Sequence, residues 1–181
     1  MHRWAFAAFL LTSPAQAGDW FQHKFGELRA YHGDWLAVCD TLGAGPCRVV
    51  QTDKDSGSDA YFDQRLAVHR IDNSPDWAIE VMDRGLEAHA ITQMTFTFDG
   101  DEVVIEPSAW GVGDFEMSNA VDTITITDKT IAADLVARMQ AGNHVVIRYV
   151  PNGGDGKATF TLRGATAATN AIEARVLARQ E

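Results

Sequence analysis

The sequence predicts a mainly β, α+β domain: an antiparallel β-sandwich or open barrel with a helix near 128–141 and a C-terminal helix near 165–179. Two observations predict this class. Apolar and polar residues alternate in many short segments bounded by turn residues, and the period changes to that of a helix in two places. The sequence shows neither an internal repeat nor a low-complexity linker, so we expect residues 18–181 to form a single domain.

The predicted strands follow one another as antiparallel neighbours. In chain order they are 34–40 with 47–51, 60–71 with 76–83, the two halves of 92–107, 121–127, and 144–150 with 157–163. The clearest hairpin is 92–107, because Asp99 and Gly100 separate two alternating segments and suit a type I′ turn.

Each predicted helix has apolar residues on one face. On the first helix these residues are Ile131, Ala132, Leu135, Val136 and Met139, and on the second they are Ala168, Ile172 and Val176. Asp128 is suited to cap the start of the first helix, and Gly142 is suited to end it.

The first 17 residues have the organisation of a secretory signal peptide. A short positive start precedes the apolar run "WAFAAFLL", and Ala15 and Ala17 occupy the small-residue positions of a cleavage site. Residue 18 is glycine rather than cysteine, which argues against a lipid anchor. No later stretch reaches the roughly 20 apolar residues of a membrane helix. We therefore expect cleavage after Ala17 and a periplasmic or secreted protein without a membrane span.

The composition argues against some classes of partner. The formal net charge is −10, and an acidic surface repels phosphate backbones and anionic lipids. We therefore expect a protein partner, in the cell envelope or in a host, and no nucleic acid.

The two cysteines, Cys39 and Cys47, are eight positions apart across a glycine-rich turn. A redox pair would more typically have the Cys-x-x-Cys spacing at a helix start, and a zinc site would need two further ligands. Outside the cytosol, two thiols on neighbouring strands are expected to oxidise. A structural disulfide is therefore the preferred interpretation.

Two loops resemble ligand motifs but lack essential residues. The segment 53–63 has aspartates at calcium-loop positions, but Ser58 and Gln64 replace the required glycine and glutamate. The segment 151–159 lacks the first glycine and the Ser/Thr of a phosphate loop. We therefore predict neither a metal nor a cofactor.

The histidines give the one indication of catalysis. His89 follows Glu87 by two positions, so the two side chains would share a face if the segment were extended. No nucleophile is placed beside them by the sequence, and His144 lies in a predicted strand. We predict no catalytic residues; a small periplasmic hydrolase with a His/acid site at His89 or His144 is the alternative.

The segments "GDWLAVCD…GPCRVVQ" and "IAADLVARMQAGNHVVIRYVPNGGDGKATFTLRGATAATNAI" resemble the invasion-associated locus B family of exported bacterial proteins. The likeness lies in Trp35, Cys39, Cys47 and Gln51, and in the closing Leu-x-Gly of Leu162 and Gly164. The chain departs from the family in lacking a second cysteine pair and in having Ala165 where phenylalanine is usual. The resemblance implies a divergent, non-enzymatic periplasmic or secreted protein, linked in some bacteria to host-cell invasion.

Trp35, Ala37 and Cys39 occupy alternate positions of one predicted strand and so point to the same face. We therefore expect the Trp35 indole to pack near the disulfide in a common core. Gln51 is expected to tie a strand edge through its amide. Trp110 and Phe115 lie in a loop of small residues, where they act either as a surface anchor for a partner or as a lid on the core.

Overall fold

The computed structural model describes residues 18–53, 58–71, 74–113, 121–150 and 156–179. Within these ranges the chain forms twelve β-strands and two α-helices. The strands are β1 (Phe21–Gln22), β2 (Leu28–His32), β3 (Trp35–Cys39), β4 (Cys47–Asp53), β5 (Gln64–Arg70), β6 (Trp77–Asp83), β7 (Met94–Phe98), β8 (Asp101–Ile105), β9 (Trp110–Val112), β10 (Thr123–Ile126), β11 (His144–Tyr149) and β12 (Gly156–Thr161). The helices are α1 (Lys129–Ala141) and α2 (Ala165–Leu177).

The strands form two open antiparallel sheets. The larger sheet has the order β1-β2-β3-β4-β5-β6-β10-β9, and the smaller has the order β12-β11-β7-β8. The predicted β-rich α+β class and its two helices are therefore confirmed. The predicted strands do not include β1, β2 or β9. Strands β1 and β9 are short, and the sequence around β2 lacks a sustained alternation of apolar and polar residues.

The turn between β7 and β8 is the predicted hairpin turn. Asp99 and Gly100 have φ values of +48° and +109°, which matches the two positive values that a type I′ turn requires. The Asp99 carboxylate also accepts hydrogen bonds from the backbone N–H of Asn143 at 2.8 Å and of His144 at 3.2 Å. These bonds tie the turn to the start of β11 and lower the pKa of Asp99.

Helix α1 begins and ends at the predicted residues. The Asp128 carboxylate accepts hydrogen bonds from Thr130 N and Ile131 N, each at 3.0 Å, and so satisfies two N–H groups of the first turn. At the other end, Gly142 N donates to Arg138 O at 2.9 Å. Four of the five apolar residues predicted for one face are buried, and Ile131 is partly buried against the core.

Helix α2 covers one face of the larger sheet, where it lies against β2, β3, β4 and β5. It starts after Gly164, whose φ is +97°. A Cβ at this glycine would stand 1.9 Å from His32 O, so only glycine allows the helix start to approach β2 this closely. The predicted apolar face of α2 is buried, and the helix ends at Leu177, two residues before the predicted boundary.

One hydrophobic core joins both sheets and both helices. Among the described residues, no helix combines the length and the apolar character that crossing a membrane requires. With α2 on the inner face of β2–β5, the opposite face of these strands remains open to solvent and forms the candidate site.

Candidate binding groove on the outer sheet face

The strand register determines which side chains face away from α2. In the larger sheet Leu36 pairs with Tyr31 and Val50, and Val38 pairs with Arg29 and Arg48. Side chains alternate between the faces of a strand. Because Trp35, Ala37 and Cys39 point to the core, these paired residues lie together on the outer face.

The outer face carries an open groove of about 780 Å³. We call it the outer groove. Its floor is aliphatic and comprises Leu36, Val38 and Val50.

Basic side chains from four segments line the outer groove: Lys24, Arg29, Arg48 and Arg65. Neighbouring carboxylates orient two of them. Arg29 Nη2 lies 2.5 Å from Glu27 Oε2, and Arg48 Nη1 lies 3.0 Å from Asp40 Oδ2. Arg29 and Arg48 remain about one-fifth exposed, so their guanidinium groups are positioned in advance and still reach solvent.

Arg65 is held by a buried acid beneath the sheet surface. Its guanidinium pairs with Glu80, whose side chain is 4% exposed, and His69 Nε2 lies 3.4 Å from Glu80 Oε2. Burial acts to raise the pKa of Glu80, but the hydrogen bond from His69 and the positive charge of Arg65 outweigh it, so the pKa is lowered. Glu80 is therefore a charged anchor for Arg65.

Among the described residues that line the outer groove, the one carboxylate belongs to Asp34. Arg163 Nε donates to Asp34 Oδ2 at 3.0 Å. The hydrogen bond from Arg163 lowers the pKa of Asp34 and raises that of Arg163. The carboxylate of Asp34 is therefore already paired with Arg163, which does not line the groove.

Exposed aromatic rings surround the basic residues. Tyr61 is 94% exposed, Phe25 is 72% exposed and Tyr31 is 62% exposed. Lys24 Nζ lies 5.2 Å from the centre of the Phe25 ring, and the Arg65 guanidinium lies 5.9 Å from that of Phe62. These distances are within the range of cation–π contacts, so the cations and rings form one mixed surface.

The disulfide closes a loop at one end of the outer groove. Cys39 and Cys47 are bonded to each other and are paired residues of β3 and β4. Both are buried in the hydrophobic core that also contains Trp35. No cluster of three or more His, Cys, Asp or Glu suited to a metal occurs in the part of the chain that the structure describes.

The loop between the cysteines presents Leu42, which is 54% exposed. Thr41 and Leu42 have φ values of +50° and +53°, a left-handed conformation that is unfavourable for such residues. Leu42 N donates to Gly26 O at 2.7 Å. A second depression adjoins the outer groove on the side of this loop, and it is lined by Leu42, Phe25, Arg48 and the carboxylates of Glu27 and Asp40.

The other residues that carry the family resemblance have packing contacts. Trp35 Nε1 donates to Thr161 O at 3.0 Å. Gln51 Nε2 donates to Asp34 O at 3.3 Å and so links β4 to the residue before β3. Leu162 is buried in the core, and Gly164 allows the close approach of α2. These residues support the scaffold, and Gln51 also lies at the edge of the outer groove.

The two residues predicted as a surface anchor or lid have different outcomes. Trp110 lies in β9 and is partly buried against the core, which matches the lid interpretation. Phe115 lies outside the described residues.

The histidines singled out by the sequence do not form a His/acid site in a pocket. His89 is exposed in the 3₁₀ turn Ala88–Ala90, which is not the extended segment that the pairing with Glu87 assumed. His144 is 67% exposed, and its Nδ1 lies 4.0 Å from Asp99 Oδ1. The structure instead brings His69 and Glu80 together.

Sequence reasoning did not find the outer groove. Its residues come from β2, which was not predicted, and from the outer positions of three other strands. The available signal was the pattern of basic and apolar residues at alternate positions, as in Arg29 and Tyr31 or Arg48 and Val50. The pattern reveals a common site only when the pairing register of β2, β3, β4 and β5 is known.

No protein-family model, curated protein or solved structure matches this chain at a significant level. The functional proposal for this chain therefore rests on the geometry of the outer groove.

Proposed function

We propose that this chain is an exported, non-enzymatic binding protein of the cell envelope that holds a protein partner in the outer groove. The observation that carries the proposal is the convergence of exposed aromatic rings and basic side chains on one sheet face.

Large exposed rings are unusual on a surface that remains in water, and contiguous apolar patches mark interaction sites. Tyrosine and arginine are also enriched among the residues that dominate interface energetics. Tyr31 and Tyr61 meet both descriptions, and Arg29 and Arg48 meet the second. All four line the groove around its aliphatic floor, so a partner seated there would remove them from water.

The export part of the proposal is supported by the leader sequence and the disulfide. Residues 1–17 have the pattern of a secretory signal, and the bond between Cys39 and Cys47 suits an oxidising compartment. The resemblance to the invasion-associated locus B family agrees with this location and with a role in contacts with an envelope or host protein.

The pair of His69 and Glu80 is the observation that favours the hydrolase alternative. Catalysis by this pair would need a carboxylate or imidazole directed at a substrate. Glu80 instead points at Arg65 and His69 and is almost fully buried. Both cysteines are committed to the disulfide, so neither supplies a thiol nucleophile. We therefore favour binding over catalysis.

Affinity capture from envelope extract and from host-cell lysate tests the proposal. The wild-type chain, purified after export, serves as bait beside Tyr61→Ser and the matched control Val104→Ser, which alters an exposed apolar side chain on β8. We expect one partner to be retained by the wild type and by Val104→Ser and lost with Tyr61→Ser. Equal capture by all three baits would contradict binding in the outer groove.

A further inference from the structure

Resting on the proposed function, we propose that the outer groove takes an uncharged, proline-rich segment of the partner protein in the polyproline II conformation. Four features of the outer groove support this occupant. Its charges are paired, the backbone of its floor is hydrogen-bonded within the sheet, its apolar strip is narrow, and exposed tyrosines line it.

The charged side chains of the outer groove already have partners of opposite charge. The pairs are Arg29 with Glu27, Arg48 with Asp40 and Glu27, Arg65 with Glu80, and Asp34 with Arg163. Lys24 is exposed to solvent and lies over the Phe25 ring. A charged ligand would lose hydration and would have to compete with these pairs. An uncharged ligand leaves them intact.

The backbone beneath the outer groove is not available to a ligand. Strand β3 pairs with β2 on one side and β4 on the other, and β4 also pairs with β5, so the N–H and C=O groups are used within the sheet. The floor side chains Leu36, Val38 and Val50 are aliphatic. A peptide N–H placed over them would lose water without gaining an acceptor, at a cost of about 1–3 kcal/mol. Proline has no N–H, so a proline-rich backbone avoids this cost.

An α-helix would also satisfy its own N–H groups, but the apolar strip of the floor is too narrow for one. Tyr31, Leu36 and Val50 form this strip, in register across β2, β3 and β4. On β4 the next outward residues are Arg48 on one side and Thr52 on the other, each about 6.8 Å away along the strand. An α-helix with its side chains is about 10–12 Å wide. A polyproline II chain is thinner, because it rises about 3.1 Å per residue against about 1.5 Å in an α-helix.

The repeat of a polyproline II chain matches the length of the strip. Tyr31 and Val50 lie two strand spacings apart, which is about 9.6 Å. Polyproline II has three residues per turn and repeats at about 9.3 Å, so residues i and i+3 face the same side. Prolines at positions i and i+3 of a chain that crosses the strands therefore face the two ends of the strip together.

Two exposed tyrosines supply groups that recognise proline. Tyr31 lies on β2 and Tyr61 lies just before β5, and both line the outer groove. Aromatic rings pack against proline rings in grooves that bind proline-rich segments. A tyrosine hydroxyl also donates to the carbonyl oxygens that polyproline II leaves without internal hydrogen bonds. The ligand has therefore to offer acceptors and apolar rings, as a proline-rich segment does.

Isothermal titration calorimetry with synthetic peptides tests the proposal on the full chain purified after export. The probe is acetyl-Pro-Leu-Pro-Pro-Gln-Pro-Pro-Leu-Pro-amide. One control is its all-D form, which has the same composition and the opposite helical hand, and the other has Ala at every Pro, which restores the N–H groups. We expect the probe to bind about tenfold more tightly than either control, or better. Its affinity should change little as salt is raised, because the peptide is uncharged.

Variants of the two tyrosines locate the binding. Tyr31→Ser and Tyr61→Ser should each weaken the probe about tenfold, because a ring and a hydroxyl are lost. Val104→Ser, which alters an exposed apolar side chain on β8, should leave the affinity unchanged. A thermal melt of each variant shows that it is folded, and either tyrosine variant keeps the test valid if the other is not.

Three results would each overturn the proline-rich occupant: equal binding of the probe and its all-D form, equal binding of the Ala peptide, or no binding of any peptide. The proposed function then stands if capture of a protein partner still depends on Tyr61, and it falls if Tyr61→Ser captures the same proteins as the wild type. Sedimentation analysis tests for a second copy of the chain as occupant. A wild-type dimer that Tyr61→Ser dissociates would place that copy in the outer groove and contradict the proline-rich segment.

Discussion

Removing the disulfide should lower stability without changing the fold. The bond between Cys39 and Cys47 closes a loop with a sequence separation of 8. On the chain-entropy relation, closing so short a loop stabilises the folded chain by about 2.5 kcal/mol. The double variant Cys39→Ala/Cys47→Ala keeps the pairing of β3 with both β2 and β4, so we expect the native sheet to remain.

Urea unfolding of the exported chain, followed by tryptophan fluorescence, measures the effect. We expect the double variant to lose about 2–3 kcal/mol and its thermal midpoint to fall by about 5–10 °C for a domain of this size. Capture of the protein partner should persist at temperatures where the variant is folded, because the sulfurs lie in the core and not in the outer groove.

Wild-type protein reduced with dithiothreitol is the control, since it loses the cross-link but keeps both sulfur atoms. The reduced protein should unfold near the midpoint of the double variant. Thiol titration of the oxidised wild type should find no free thiol. Two reactive thiols in the native protein, together with unchanged stability of the variant, would refute the structural role of the bond.

Three further predictions concern the scaffold and the export of the chain. Gly164→Ala should cost at least about 3 kcal/mol in urea unfolding, because its left-handed backbone and the contact of its Cβ with His32 O both oppose alanine. Gly100→Ala should cost about 1–2 kcal/mol, because its backbone is also left-handed but its Cβ meets no atom within 4 Å. Equal costs would be inconsistent with the close approach. The pKa of Glu80 is lowered in the folded chain. Its charge therefore stabilises the fold above the unfolded pKa of about 4.3, and this contribution is lost as pH falls through the folded pKa. Between pH 5 and pH 3 the free energy of unfolding should change less in Glu80→Gln than in the wild type, and parallel profiles would contradict this prediction. Intact-mass analysis of protein from the native host should show a chain that begins at Gly18, and retention of the leader would exclude the predicted cleavage.

The parts of the fold that the sequence predicted are those determined by local chemistry. Asp99 and Gly100 specify their turn, Asp128 caps α1, and Gly142 ends it, so these elements agree with prediction to within about a residue. The period-two segments also became strands. For the turn and the two ends of α1, the deciding contacts lie within a few positions along the chain.

The missed elements depend on contacts between distant segments. Strand β2 has little apolar alternation of its own and is held by pairing with β3. The same applies to the candidate site, because Arg29, Arg48 and Arg65 meet only after three registers are set. His69 and Glu80 likewise lie on neighbouring strands, so their pairing is not visible in the linear sequence.

Photo-crosslinking in the native host tests the central claim, that the outer groove holds a protein partner, most directly. A benzoylphenylalanine replaces Tyr61 at the rim of the outer groove or, as the control, Val104 on β8, and the cells are irradiated before mass analysis of the adducts. The account predicts one discrete protein adduct from position 61 and none from position 104. An adduct from position 104 with none from position 61 would contradict it.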